Sequence, residues 1–275
     1  MRPRGRVPLS CGVSSRSVSS EGSPIQVSLV PGELLHHPLL LAGAVVIVFV
    51  AFYVRAAIGF GSGLISVALL SLFFPIKETV PVVLLLDLLG SAVLGAYDFH
   101  EIRWPEFRVL VPGSFVGLVV GSFILADTNA QSLTRFLGIF ILAYVIYALA
   151  FRPERLPRIG VGWGLPLGVF GGVIGSLYGG GGPPLVAYLQ MRRLDKRAFR
   201  ATFQAIALMN NVVRVVIYAG LALLTFPLVG VALFLVPSVL LGVAVGNRLH
   251  LRIGPRAFFL ATLALLAVVG VNYLL

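Results

Sequence analysis

Twice in this sequence a long apolar run is broken by closely spaced glycines. The first break is Ile58-Gly59-Phe60-Gly61-Ser62-Gly63 and the second is Tyr178-Gly179-Gly180-Gly181-Gly182-Pro183-Pro184. An apolar chain in lipid must satisfy its backbone N–H and C=O groups internally, which leaves the helix and the closed barrel as spanning structures. The residue-by-residue alternation of a barrel strand is absent. The chain is 58% hydrophobic and 11% charged, where a soluble domain carries about 25% charged residues. These features predict an all-α, polytopic integral membrane protein. Non-helical backbone at membrane depth is tolerated only where it is buried in protein or lines a cavity. Gly/Pro-interrupted segments at matching places in two halves of a membrane protein point to a transport site.

The apolar runs lie near 38–74, 79–97, 106–125, 133–150, 162–178, 183–191, 198–219, 226–247 and 257–274. A span needs about 20 residues, so the arms after the breaks, Leu64 to Phe74 and 183–191, are too short to cross. Thirteen of the 21 cations fall in four regions: Arg103 and Arg108; Arg152, Arg155 and Arg158; Arg192, Arg193, Lys196, Arg197 and Arg200; Arg248, Arg252 and Arg256. The positive-inside rule puts these on the cytoplasmic face, with only Lys77 and Arg135 opposed among short loops. Both broken runs then become hairpins, each followed by three spans, and both termini are external. An odd number of crossings per half inverts the second half. Pro112-x4-Gly117-x3-Gly121 recurs as Pro237-x4-Gly242-x3-Gly246, offset by 125 residues. The expected organisation is a polar, disordered tail over 1–37, a first transmembrane repeat over 38–150, a cytoplasmic linker over 151–161 and an inverted second repeat over 162–275. That amounts to about 8–10 membrane segments. Each Gly-x3-Gly is also a close-packing face for helices.

The net charge of +11 raises nucleic acid as a partner, but its placement in loops between apolar runs argues against it. Cys11 is the single cysteine, so a disulfide framework and a cysteine-rich metal site are excluded. There is no His-Glu-x-x-His, no clustered carboxylate pair, no serine-nucleophile motif and no phosphate-binding Gly-x4-Gly-Lys-[Ser/Thr]. An enzyme is therefore not expected, and no cofactor or metal. Transport would be driven by an ion gradient or by the substrate's own gradient.

If the hairpins enter from opposite faces, their tips meet near the midplane. Each short arm begins a helix just past its tip, and Pro183 suits a first helical position. The free N–H groups and the positive end of the helix dipole make such a tip an anion site. Glycine lets a ligand approach the backbone closely. The candidate site is Gly59, Gly61, Ser62 and Gly63 with Gly179, Gly180, Gly181 and Gly182. Asp87 is the lone carboxylate well inside a span, and intramembrane charge usually marks a pathway or a pair. It either carries a coupling proton or pairs with an arginine. Arg55, just before the first tip, would add positive charge for an anion. Arg214, near the outer end of 198–219, is expected to snorkel outward. Asn210 and Asn211 either hydrogen-bond a ligand or bridge helices.

Ala57-Ile58-Gly59-Phe60-Gly61-Ser62-Gly63 resembles the start of the sulfite exporter TauE/SafE family, also called the toluenesulfonate uptake permease group. So do Gly179 to Pro184 with the basic loop and Ala198-Phe199-Arg200-Ala201-Thr202 that follow, and Asn210-Asn211. The resemblance covers roughly residues 39–274. It implies a plasma-membrane carrier of sulfite, organosulfonates or other small organic anions. The four consecutive glycines of the second tip depart from the family pattern. The combined expectation is a multi-pass inner-membrane secondary transporter whose partners are a small anion and the lipid bilayer. A passive anion channel, with flux that does not saturate, is the nearest rival. A membrane enzyme would need a nucleophile or metal cluster at the tips.

Overall fold

The computed structural model describes residues 29, 37–96, 99–150, 157–179, 181–249 and 255–275, with side chains described outside 249 and 255–259. Most of the tail, half of the linker and Gly180 lie outside these residues.

Among the described residues there are ten α-helices and no strand. The first half comprises α1 (Pro38–Ile58), α2 (Ser62–Leu70), α3 (Ile76–Gly95), α4 (Trp104–Asp127) and α5 (Ala130–Ala150). The second comprises α6 (Gly164–Tyr178), α7 (Gly182–Met191), α8 (Lys196–Gly220), α9 (Phe226–Leu249) and α10 (Pro255–Asn272). Seven stretches among the described residues are long and apolar enough to cross a membrane: α1, α3, α4, α5, Val161–Tyr178, α8 and α9 up to Arg248. The chain is an all-α, polytopic membrane protein.

The breaks follow from backbone chemistry. α1 ends where the Gly59 N–H bonds the Arg55 carbonyl and Gly59 turns left-handed, at φ 104°. Gly61, at φ 102°, then caps α2. In the second half Gly179 sits at φ 79° and Gly181 at φ 38°. A side chain is strained in this region, by roughly 1–2 kcal/mol per residue.

Packing between halves is set by the other glycines. On α4, Gly113, Gly117 and Gly121 face the Leu165, Val169 and Val173 carbonyls of α6; a Cβ on Gly121 would stand 2.7 Å from the last of these. On α9, Gly242 and Gly246 face the Phe49 and Tyr53 carbonyls of α1, with 2.6 and 2.7 Å left for a Cβ. The recurring Gly-x3-Gly is thus a close-packing face in both places. The fourth helix of each half clasps the broken helix of the other. α3 packs on α8 and α5 on α10, so these four pairings map onto one another when the halves are exchanged. The bulky outward residues, among them Phe115, Phe136, Ile146, Phe170, Val216 and Leu233, are exposed, as lipid-facing positions are.

Candidate functional site

The two breaks touch. A Cβ on Gly63 would lie 2.8 Å from the carbonyl carbon of Gly179, and one on Gly179 would lie 3.2 Å from the Gly63 Cα. Only a pair of residues without side chains can bring two backbones this close. Around this contact is a cavity of about 50 Å³, where a single water needs ~10–15 Å³. It has room for a few waters or one compact anion.

Both breaks contribute to the wall, through Gly61, Ser62 and Gly63 and through Gly179, Gly181 and Gly182. Arg55, Asp87, Asn210, Asn211 and Arg214 contribute to its polar part, with Tyr144 and Thr262. Gly59 stands outside this lining, and Gly180 lies outside the described residues. The first turn of α2 has no side-chain cap, so the N–H groups of Ser62, Gly63 and Leu64 have no intrahelical partner. The second break is poorer in donors than its glycines suggest, because Pro183 and Pro184 in the first turn of α7 carry no N–H.

Arg55 is buried and engaged on every terminal nitrogen. Its Nη1 donates to Asp87 Oδ1 at 2.8 Å and to Ser62 Oγ at 2.9 Å. Its Nη2 donates to Ser91 Oγ at 2.6 Å and to Gln204 Oε1 at 2.8 Å. Ser62 Oγ donates to Asp87 Oδ1 at 2.6 Å. Gln204 Nε2 donates to the Gly59 carbonyl at 2.8 Å, tying the network to the end of α1. Of the two roles open to Asp87, the arginine pair is therefore formed. Its second oxygen, Oδ2, is buried without a hydrogen-bond partner, and a Cβ on Gly63 would stand 2.6 Å from it. A carboxylate placed at a helix N-terminus offsets the positive end of the dipole. Asp87 pairs with Arg55 and lies beside the start of α2 without accepting from its backbone N–H groups.

Arg214 corrects an expectation. It does not snorkel outward; it is 1% exposed. Its Nη1 reaches Asn211 Oδ1 at 3.4 Å and its Nη2 donates to Tyr218 Oη at 3.2 Å. The guanidinium lies 5.3 Å from the centroid of the Tyr218 ring, at cation–π distance. Tyr218 in turn donates to the Ser176 carbonyl on α6. Among the described residues no carboxylate pairs with Arg214. With Asp87 ionised, two arginines and one carboxylate leave the cavity one net positive charge. Desolvated positive charge beside free N–H groups is an arrangement that holds an anion.

Sequence reasoning passed over Gln204, Ser91 and Tyr218. A signal for them exists at helical spacing: Gln204, Ala207, Asn210 or Asn211, Arg214 and Tyr218 form one stripe along α8, and Ser91 follows Asp87 by one turn on α3. It also passed over a buried cluster at the far end of α7. Glu106 on α4 is 4% exposed and accepts from Tyr188 Oη at 2.5 Å and from Arg192 Nε at 2.9 Å. Arg192 Nη1 donates to the Ile159 carbonyl at 2.7 Å. This cluster fastens the short arm to α4 and to the segment before α6.

Comparison with known proteins adds a family. The family model described as "Sulfite exporter TauE/SafE" matches residues 44–273. A protein of Comamonas testosteroni named "Probable inner membrane transporter protein TsaS" is 27% identical over 69% of this chain and 80% of its own. A protein of Cupriavidus necator named "Probable sulfite/organosulfonate exporter TauE" is 26% identical over 71% of this chain and 78% of its own. No solved structure matches the chain.

Proposed function

The chain belongs to the sulfite exporter TauE/SafE family, and from that premise we propose that it is a secondary transporter moving a small anion, such as sulfite or an organosulfonate, across the inner membrane by alternating access. The observation that carries this reading is Arg214, a buried arginine without a carboxylate partner among the described residues, facing a small cavity between two helix breaks. The anion's charge pairs with the Arg214 guanidinium. The α2 N–H groups and the Asn210 and Asn211 amides hydrogen-bond its oxygens. The glycines of both breaks allow it to approach the backbone.

Asp87, besides its pair with Arg55 through Oδ1, supplies the coupling. Its free Oδ2 is the atom that takes the proton. Protonation removes the one negative charge of the cavity wall, so an anion enters more favourably with a proton than without it. Arg55 is the positioning partner that holds Asp87 against the first break. The two halves act as inverted repeats, and alternating access is the rocking of one against the other around the fixed site. The self-mapping pattern of helix pairs supports this.

The test is binding and uptake with purified protein in reconstituted vesicles, across a panel of sulfite, sulfonates, sulfate and small carboxylates. Saturable uptake of a member of the panel that is lost in Arg214→Gln supports the reading. Uptake that never saturates, or Arg214→Gln with wild-type affinity, overturns it.

A further inference from the structure

Phe60 lines two cavities. One is the central cavity between the breaks. The other is an open pocket walled by Ile58, Gln190, Arg193, Lys196 and Phe199 as well as by Phe60 itself. Phe199 belongs to the wall of the open pocket and Phe203, one turn further along α8, to the wall of the central cavity. The two rings stack at 6.4 Å. Phe60 meets both edge-on, with centroids 6.4 Å from Phe199 and 6.1 Å from Phe203. Its ring therefore stands at the partition between the two spaces.

The backbone around Phe60 is built to turn. Gly59 and Gly61, on either side of it, both adopt left-handed φ angles, 104° and 102°. A Cβ on Gly61 would find nothing nearer than Ile65 Cδ1 at 3.9 Å, so conformation and not space demands glycine there. Phe60 is thus an aromatic ring carried between two residues of maximal backbone freedom. The Gly59 carbonyl is held by Gln204, which also accepts from Arg55, so this swivel is tied to the Arg55–Asp87 pair.

We infer that Phe60 is the gate between the central site and the basic pocket, closed here against Phe199 and Phe203. Rotation about Gly59 and Gly61 opens it. The basic pocket is the vestibule through which a small anion reaches the gate, drawn by the positive charge of Arg193 and Lys196. It is built in part from the 192–197 loop, so the gate serves the face on which the basic loops lie. The inference rests on the central cavity being the transported anion's site, but its test reads access and not transport.

Replacing Cys11 with Ser removes the sole cysteine, and Ala207→Cys then places a thiol in the wall of the central cavity. A membrane-impermeant, anionic methanethiosulfonate reagent is applied to inverted vesicles and, separately, to right-side-out vesicles. A gate whose open state is a minor population slows labelling in proportion to that population, so Phe60→Ala is expected to raise the rate in inverted vesicles by about tenfold or more. The rate from the other face stays unchanged. Phe203→Ala, which removes one of the rings Phe60 closes on, moves the rate in the same direction and serves if Phe60→Ala does not accumulate. Equal rates with and without these rings, or acceleration only from the opposite face, overturn the gate. If no anion binds the protein while Phe60→Ala still opens the cavity to the reagent, the transport reading fails and the gate stands.

Discussion

Arg55 and Asp87 form an ion pair 2.8 Å long with side chains 4% and 1% exposed, joining the last turn of α1 to the middle of α3. One carboxylate thereby answers one of the two arginines in the cavity wall. The other, Arg214, is left with an amide, a phenol and an aromatic ring. In the function proposed above this asymmetry divides the labour: Arg55 positions Asp87 and Arg214 receives the anion.

Arg214→Gln is expected to weaken anion binding by the cost of removing one partner of a buried charge pair, ~2–5 kcal/mol. Arg214→Lys keeps the charge but loses the planar fork, and is expected to fall between the two. Titration calorimetry on purified protein checks both, with melting temperature as a control for folding.

Asp87→Asn leaves the Arg55 charge buried without a counter-charge. Its expected cost is about 3–5 kcal/mol of stability. Joint replacement, Arg55→Met with Asp87→Leu, removes both charges and is expected to restore most of it. On the coupling proposed above, uptake by wild-type vesicles depends on an imposed pH gradient, and both variants are expected to lose that dependence. Uptake with and without the gradient, together with thermal melts, separates coupling from folding.

Gly61→Ala is expected to destabilise by about 1–2 kcal/mol through its left-handed backbone alone, since the space around it is open. Gly63→Ala acts differently. Its Cβ would press on Asp87 Oδ2 at 2.6 Å and on the Gly179 backbone at 2.8 Å. It is expected to separate the breaks and abolish binding even where the protein remains folded. Binding to the folded fraction distinguishes the two.

Gly246→Ala meets the Tyr53 carbonyl at 2.7 Å, and Gly246 itself is not part of the cavity wall. Overpacking of this kind costs typically 1–3 kcal/mol. The expected outcome is a lowered melting temperature with anion affinity unchanged in the protein that folds.

A topology reporter fused after Leu275 is expected to be active only outside the cytoplasm, with fusions in the 192–197 loop active only inside. A cytoplasmic C-terminus would remove the inversion of the halves.

Much of the protein was legible because it is local chemistry. The apolar runs had to be helices, since nothing else in lipid satisfies the backbone within one segment. The breaks at Gly59–Gly63 and Gly179–Gly182 follow from residues that alone turn left-handed cheaply, and the recurring Gly-x3-Gly from residues that alone permit close approach. The tertiary structure decided which of the two cations lacks a carboxylate partner among the described residues. Along the chain, Arg55 stands just before the first break and Arg214 near the outer end of its span, which points to the wrong one as the arginine without a carboxylate. Whether either meets Asp87 depends on which helices are neighbours, and α3 presents Asp87 to the end of α1 while Arg214 on α8 turns to Tyr218. Hydropathy and spacing report how one segment partitions and which of its faces is polar. The charge left over in a cavity is a property of side chains from several segments, set only when they pack.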